Sequence, residues 1–180
     1  METTQLVKTW AIDPAHSEVH FKVKHMMVST VTGSFDEFSG TVKSENDDFK
    51  DAEIEFSAKI DSINTKNSDR DGHLKSDDFF NAAAYPELKF ISSSLTTEGE
   101  DEYKLKGYLT IRDITKEVEL DVLFNGQAVD PYGNTKAGFE ITGKINRKDF
   151  GLKWSAVTEA GSIVVGDQIR LDLNVQLILN

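Results

Sequence analysis

Near its end the chain alternates in hydropathy: Ile169, Leu171, Leu173, Val175, Leu177 and Leu179 are apolar, while Gln168, Arg170, Asp172, Asn174 and Gln176 are polar. Successive strand side chains point to opposite faces, so this run predicts a long strand with one buried face. The same period of two recurs at Ile54 to Ile60, Tyr103 to Ile111, Val118 to Phe124 and Ala137 to Ile145. One apolar and one polar face is the pattern of antiparallel sheet.

Turn-forming residues separate these runs: Gly99-Glu100-Asp101, Arg112 to Thr115, Asn125-Gly126, and Asp130 to Asn134. They predict hairpin after hairpin. Closing such a meander into a barrel buries one face of every strand and removes the exposed edges. The expected fold is therefore all-β, an antiparallel barrel of about eight strands. Alternation stops over residues 67–86, where Ser68 can cap a short helix with Asp69 and Asp71 in its first turn. A second helical turn is expected near Arg147 to Trp154.

With 180 residues and 38% hydrophobic content, the chain suits one domain spanning residues 1–180. Lys and Arg total 20 against 31 Asp and Glu, a formal charge of -11 that repels nucleic-acid backbones and anionic lipid surfaces. The short acidic runs around Glu45 to Asp48 and Glu98 to Glu102 are expected to be solvated loops. Without cysteine there is no disulfide, thiolate nucleophile or cysteine-based zinc site. Neither a signal-like apolar run at the N-terminus nor a stretch approaching the ~20 residues of a membrane span is present. The expectation is a soluble cytoplasmic protein with no membrane span; removal of an export signal would leave the same sequence.

His16 and His20 have the spacing with which a helix grips zinc, but the local pattern reads as strand. There the two Cα atoms would lie about 13 Å apart, too far to share one ion. No metal site is expected, and neither a nucleophile elbow nor a phosphate-binding loop occurs. Arg70, Asp71 and His73 could form an acid–base cluster, or an ion pair and helix cap at the barrel mouth, and the second reading is preferred. Nine phenylalanines, among them Phe21, Phe35, Phe38, Phe56, Phe90 and Phe139, fall mostly on inward-facing segments. A barrel of this size either fills with side chains or holds one ligand. Small inward residues, namely Ala58, Gly107, Ala137 and Gly143, suggest unfilled space.

Six ordered patterns carry a resemblance. They are W-x-I-D-x-x-H-S-x-V-x-F-x-V-K-H at Trp10 to His25, V-x-G-x-F-x-x-F-x-G at Val31 to Gly40, and N-x-x-R-D-x-H-L-x-S-x-x-F-F at Asn67 to Phe80. The others are Y-P-x-x-x-F at Tyr85 to Phe90, G-x-L-T-I-x-x-x-T-K-x-V at Gly107 to Val118, and I-x-R-x-D-F-G at Ile145 to Gly151. Over nearly its whole length the chain resembles the YceI-like family of bacterial lipocalin-like, polyisoprenoid-binding proteins. The resemblance implies a lipocalin-like barrel with a helical insertion, an elongated apolar cavity, a long isoprenoid lipid as ligand rather than any cofactor, and a homodimer. Many members are periplasmic, and the absent export signal departs from that pattern.

On this reading the ligand is lined by Val19, Phe21, Val23, His25, Phe35, Phe38, Phe56, Arg70, Phe79, Phe80, Leu109, Ile111, Phe139, Arg147, Phe150 and Trp154. Parity independently turns Val19, Phe21, Val23 and His25 inward and His20, Lys22 and Lys24 outward. His25, Arg70 or Arg147 would meet a polar head group, or His25 would bond a neighbour such as Asp71. Two alternatives stay open: an enzyme acting on such a lipid through His25, Asp71 and His73, and a stress-linked structural protein with a filled core.

Overall fold

A computed structural model describes residues 7–45, 49–50, 52–154 and 165–180. Among the described residues eleven antiparallel strands form one sheet: β1 (Lys8–Ile12), β2 (Glu18–His25), β3 (Ser29–Phe35), β4 (Phe38–Ser44), β5 (Glu53–Lys59), β6 (Ile63–Asn64), β7 (Glu87–Gly99), β8 (Glu102–Ile111), β9 (Ile114–Val129), β10 (Thr135–Asn146) and β11 (Val165–Leu179). Eight of them close a ring in the order β1-β4-β5-β7-β8-β9-β10-β11, sealed where Trp10 of β1 meets Leu179 of β11. The remaining three extend from β11 as β2-β3-β6. The long helix-free stretches follow from the alternation; the one α-helix among the described residues, α1 (Ser68–Lys75), stands where alternation stops.

The Trp10 to His25 pattern builds a corner. β1 pairs with Leu177 to Leu179 and β2 with Val165 to Asn174, so together they run the length of β11 with a one-turn 3-10 break at Pro14–His16. Polar groups stitch that break: Asp13 N donates to Gln176 O at 2.9 Å, and Gln176 N donates to Ser17 Oγ at 2.9 Å. Asp13 caps the turn by accepting from Ala15 N, and its carboxylate also meets His16 Nδ1 at 2.8 Å and Lys136 Nζ at 2.5 Å. His16 thus lies in a turn rather than the expected strand. Among the described residues no three metal-binding side chains converge.

These bonds to Lys136 and then His16 hold the Asp13 carboxyl down from 3.8 to about 2. A carboxylate depressed on folding stabilises the fold fully above its unfolded value and loses that stabilisation as pH falls through the folded value. The corner should therefore weaken between about pH 4 and pH 2, and Asp13→Asn should flatten that part of the profile. Urea midpoints of both proteins across this range check it; parallel acid curves would contradict it.

Three expectations are corrected. Asn125-Gly126 is no hairpin turn: both residues lie inside β9, where the register against β10 shifts beside Gly138 and Gly126 takes a φ of +116°. The same left-handed preference that serves a turn serves a β-bulge. The cap of α1 is Asn67, whose side chain accepts from Arg70 N at 3.1 Å, rather than Ser68. Finally, the small inward residues do not open the interior. A Cβ at Gly107 would collide with the Phe90 ring and the Ile91 carbonyl, and one at Gly143 with Leu120. Those glycines make room for neighbouring side chains, and neither they nor Ala58 and Ala137 line the cavity.

Candidate functional site

The barrel interior holds a cavity of about 600 Å³. This is within the range of small-molecule sites. Its lining on β11 runs from Val165 to Leu177. At ~3.3 Å per residue that is roughly 40 Å of strand, or roughly 30 Å along the axis of a barrel with the usual strand tilt. Ile141, Ile145, Ile169, Leu171 and Leu173 face inward yet are only half-buried, because they border this void instead of one another.

The two ends differ. At the far end Trp10, which is 1% exposed, packs on Phe49 with ring centroids 5.2 Å apart, and Phe49 meets Phe139 at 5.0 Å and Phe124 at 5.7 Å. This aromatic plug closes the barrel. At the other end the lining reaches exposed Lys24, Asn67 and Asp69, together with His25, α1 and Trp154. That end is the mouth.

Every residue expected to line a ligand borders the cavity except Phe38 and Phe150. Phe38 stacks on Phe56 at 6.2 Å within a smaller apolar cluster under the β2-β3-β6 extension. Phe150 is buried in the main core at the final 3-10 turn, Arg147–Phe150. Alternation carries Val19, Phe21, Val23 and His25 inward on β2, as parity required. The cavity also takes in β7, β9 and β10: Phe90, Val118, Val122 and Ile141 are inward-facing in the sequence without being marked as lining, and Leu95 of β7 went unread.

The polar residues of the mouth divide by what already holds them. Arg147 is 1% exposed and donates to four backbone carbonyls: Leu152 and Trp154 at 2.6 Å, Gly166 at 2.9 Å and Val165 at 3.3 Å. Burial pushes its guanidinium below the usual arginine value, and Asp167 at 3.6 Å opposes that shift. It fastens the wall of the mouth. Arg70 donates through Nε to Thr65 Oγ1 at 2.8 Å and through Nη2 to Thr65 O at 2.7 Å, holding the loop that enters α1.

The acid–base cluster read at Arg70 to Leu74 is not assembled. Asp71 Oδ1 accepts from Thr65 N at 2.9 Å and Thr65 Oγ1 at 2.5 Å, so it is not the partner of His25. His73 bonds Asp78 at 2.8 Å and wedges edge-on between Phe79 and Trp154. The His25 ring has no hydrogen-bond partner among the described residues. One rim residue went unread in the sequence: Arg112, left-handed in the β8–β9 turn, donates to the carbonyls of Asp77 and Phe79 and to the Asp77 carboxylate, pinning the segment after α1.

Residues 10–177 match the model of the YceI-like domain. A UPF0312 protein of Staphylococcus aureus strain MSSA476 is 37% identical over 168 residues, spanning 93% of this chain and 95% of its own length. Among solved structures, a YCEI protein of Campylobacter jejuni is 33% identical with a TM-score of 0.72, covering 99% of this chain and 98% of that one. BcnA of Burkholderia cenocepacia superposes with a TM-score of 0.80 at 21% identity, covering 92% of this chain and 98% of its own. A polyisoprenoid binding domain from Saccharophagus degradans gives 0.68 at 15% identity, covering 95% and 98%. The last two likenesses concern the fold.

Proposed function

We propose that this chain, which belongs to the YceI-like family, binds a long-chain isoprenoid lipid in its barrel and carries or sequesters it without changing it chemically. The observation behind this reading is the apolar tunnel, plugged by aromatic rings at one end and, among the described residues, open at the other beside a histidine with no partner there. A polyisoprenoid binding domain shares the fold. Against the filled-core alternative stands the cavity itself. Against the enzyme stands the separation of its proposed groups, since Asp71 is held by Thr65 and His73 by Asp78.

A tail of roughly 30 to 40 carbons represents on the order of 25 to 30 kcal/mol of transfer free energy at ~0.8 kcal/mol per carbon. This exceeds the ~20 kcal/mol at which non-covalent affinity saturates, so chain ordering and the competing membrane offset much of it. Fit of chain length to tunnel length then sets selectivity. Head-group recognition falls to His25, and a quinone or alcohol oxygen suits an imidazole that can donate one hydrogen bond. His25→Phe is expected to weaken an isoprenoid alcohol or quinone about three- to tenfold, the worth of one net hydrogen bond, while sparing a hydrocarbon of equal length and the unfolding midpoint. A midpoint that falls with affinities unchanged would make His25 a structural residue.

An apolar fluorescent probe tests the whole reading: it should enter the barrel and be displaced by isoprenoid alcohols, which are recovered intact after long incubation. Exclusion of the probe would contradict binding, and a converted lipid would favour the enzyme. The homodimer and the cytoplasmic location belong to the same proposal. An exposed cross-strand pair on the outer face, Ile91 and Tyr108, supports self-association, and light scattering at twice the 20.1 kDa chain mass checks it. Among the described residues no helix is long and apolar enough to cross a membrane.

A further inference from the structure

We infer that the turn between β2 and β3 is the point at which the protein touches an anionic lipid bilayer while ligand passes between membrane and cavity; this rests on the carrier reading above. Three consecutive apolar residues form the tip of that turn, with Met26 40%, Met27 72% and Val28 82% exposed. The turn is closed by Val28 N donating to His25 O at 3.2 Å, so its base is the residue that lines the mouth.

Local folding does not account for these side chains. Met26 and Met27 both take left-handed backbone angles, φ 51° and 60°. That conformation is cheap for Asn-Gly and costly for residues with long side chains. The chain thus sets flexible, polarizable thioethers in water on a backbone that suits other residues better. Charge points to the surface they meet. From Val19 to Phe35 the only Lys, Arg, Asp or Glu residues are Lys22 and Lys24, in a protein of net charge -11. Apolar residues with lysines on the strand that leads into them match the boundary between anionic head groups and acyl chains. The acidic remainder of the surface is repelled by the same membrane, which keeps the contact brief and confined to the tip. With the tip in the head-group layer, the mouth faces the acyl region and an isoprenoid tail enters without crossing water.

The triple variant Met26→Asn/Met27→Gly/Val28→Ser removes the apolar tip and suits the left-handed turn, so its unfolding midpoint should hold or rise. Its sedimentation with phosphatidylcholine vesicles containing about a third phosphatidylglycerol should be lost. Uptake of geranylgeraniol from those vesicles should slow by about tenfold or more, with equilibrium affinity for farnesol added from ethanol unchanged. Unchanged sedimentation and uptake would overturn the inference, as would a variant that changes only its self-association, since a second copy would then cover the tip. A wild-type protein that sediments with vesicles yet takes up neither lipid would sustain the contact and remove the carrier reading instead.

Discussion

Replacing Arg147 with methionine should destabilise the protein by about 3 to 5 kcal/mol, the range for breaking a buried charged network by removing one partner. Methionine fills much of the same space, so the loss is polar. Four backbone carbonyls, those of Leu152, Trp154, Val165 and Gly166, lose their donor at once. Buried carbonyls left unpaired carry a desolvation penalty of about 1 to 3 kcal/mol each where no water replaces the bond. Asp167 also loses its buried counter-charge and, among the described residues, retains Lys148 at 3.3 Å. Arg147→Lys should recover less than half of the loss, because one ammonium cannot span carbonyls on both sides of the guanidinium fork. Trp154 and Val165 border the mouth, so ligand affinity should fall in parallel. Urea midpoints with and without isoprenoid measure both effects, and a variant within about 1 kcal/mol of the wild type would show that Arg147 does not hold the wall.

Ile141→Trp should divide the tunnel. Ile141 lies midway along it, paired with Val122 on β9 and Leu173 on β11, and all three border the cavity. An indole there fills empty apolar space, so stability should be kept or slightly improved. A long chain can no longer reach the Phe49 and Phe139 plug. Each carbon left outside forfeits about 0.8 kcal/mol before ordering costs are offset, so affinity for a chain of roughly 40 carbons should fall at least about a hundredfold. A chain of about 15 carbons should keep most of its affinity in the mouth-side half. Titration with isoprenoid alcohols of several lengths reads the ratio directly. An equal loss at all lengths would indicate disruption of the barrel, and no loss at any length would place the ligand elsewhere.

The barrel was legible wherever a strand keeps apolar residues on one face over many positions, as β8, β10 and β11 do. β7 was harder to see: after Phe90 its sequence, ISSSLTTEG, carries serines and threonines and a register shift between Ser92 and Ser94. Alternation also says nothing about which strands meet, so the closure of β1 onto β11 and the β2-β3-β6 extension had no sequence signal. The inward turn of His25 was readable from parity alone. Its lack of a partner among the described residues was not, because Asp71 is close in sequence to the mouth but is taken by Thr65. Glycines misled in a consistent way: a missing side chain looks like space in a sequence, whereas at Gly107 and Gly143 a neighbour occupies it. Arg147 came in as a head-group contact with the resemblance, and only the segment after the 3-10 turn together with the start of β11 brings the carbonyls that hold it.

The most direct measurement is native mass spectrometry of the protein purified from its source without detergent, followed by solvent extraction and identification of the released lipid. The expected result is one isoprenoid per barrel, with an uncharged quinone or alcohol head and a chain long enough to reach from His25 to the aromatic plug. An empty protein that also refuses added isoprenoids of every length would contradict carriage of an isoprenoid by this barrel.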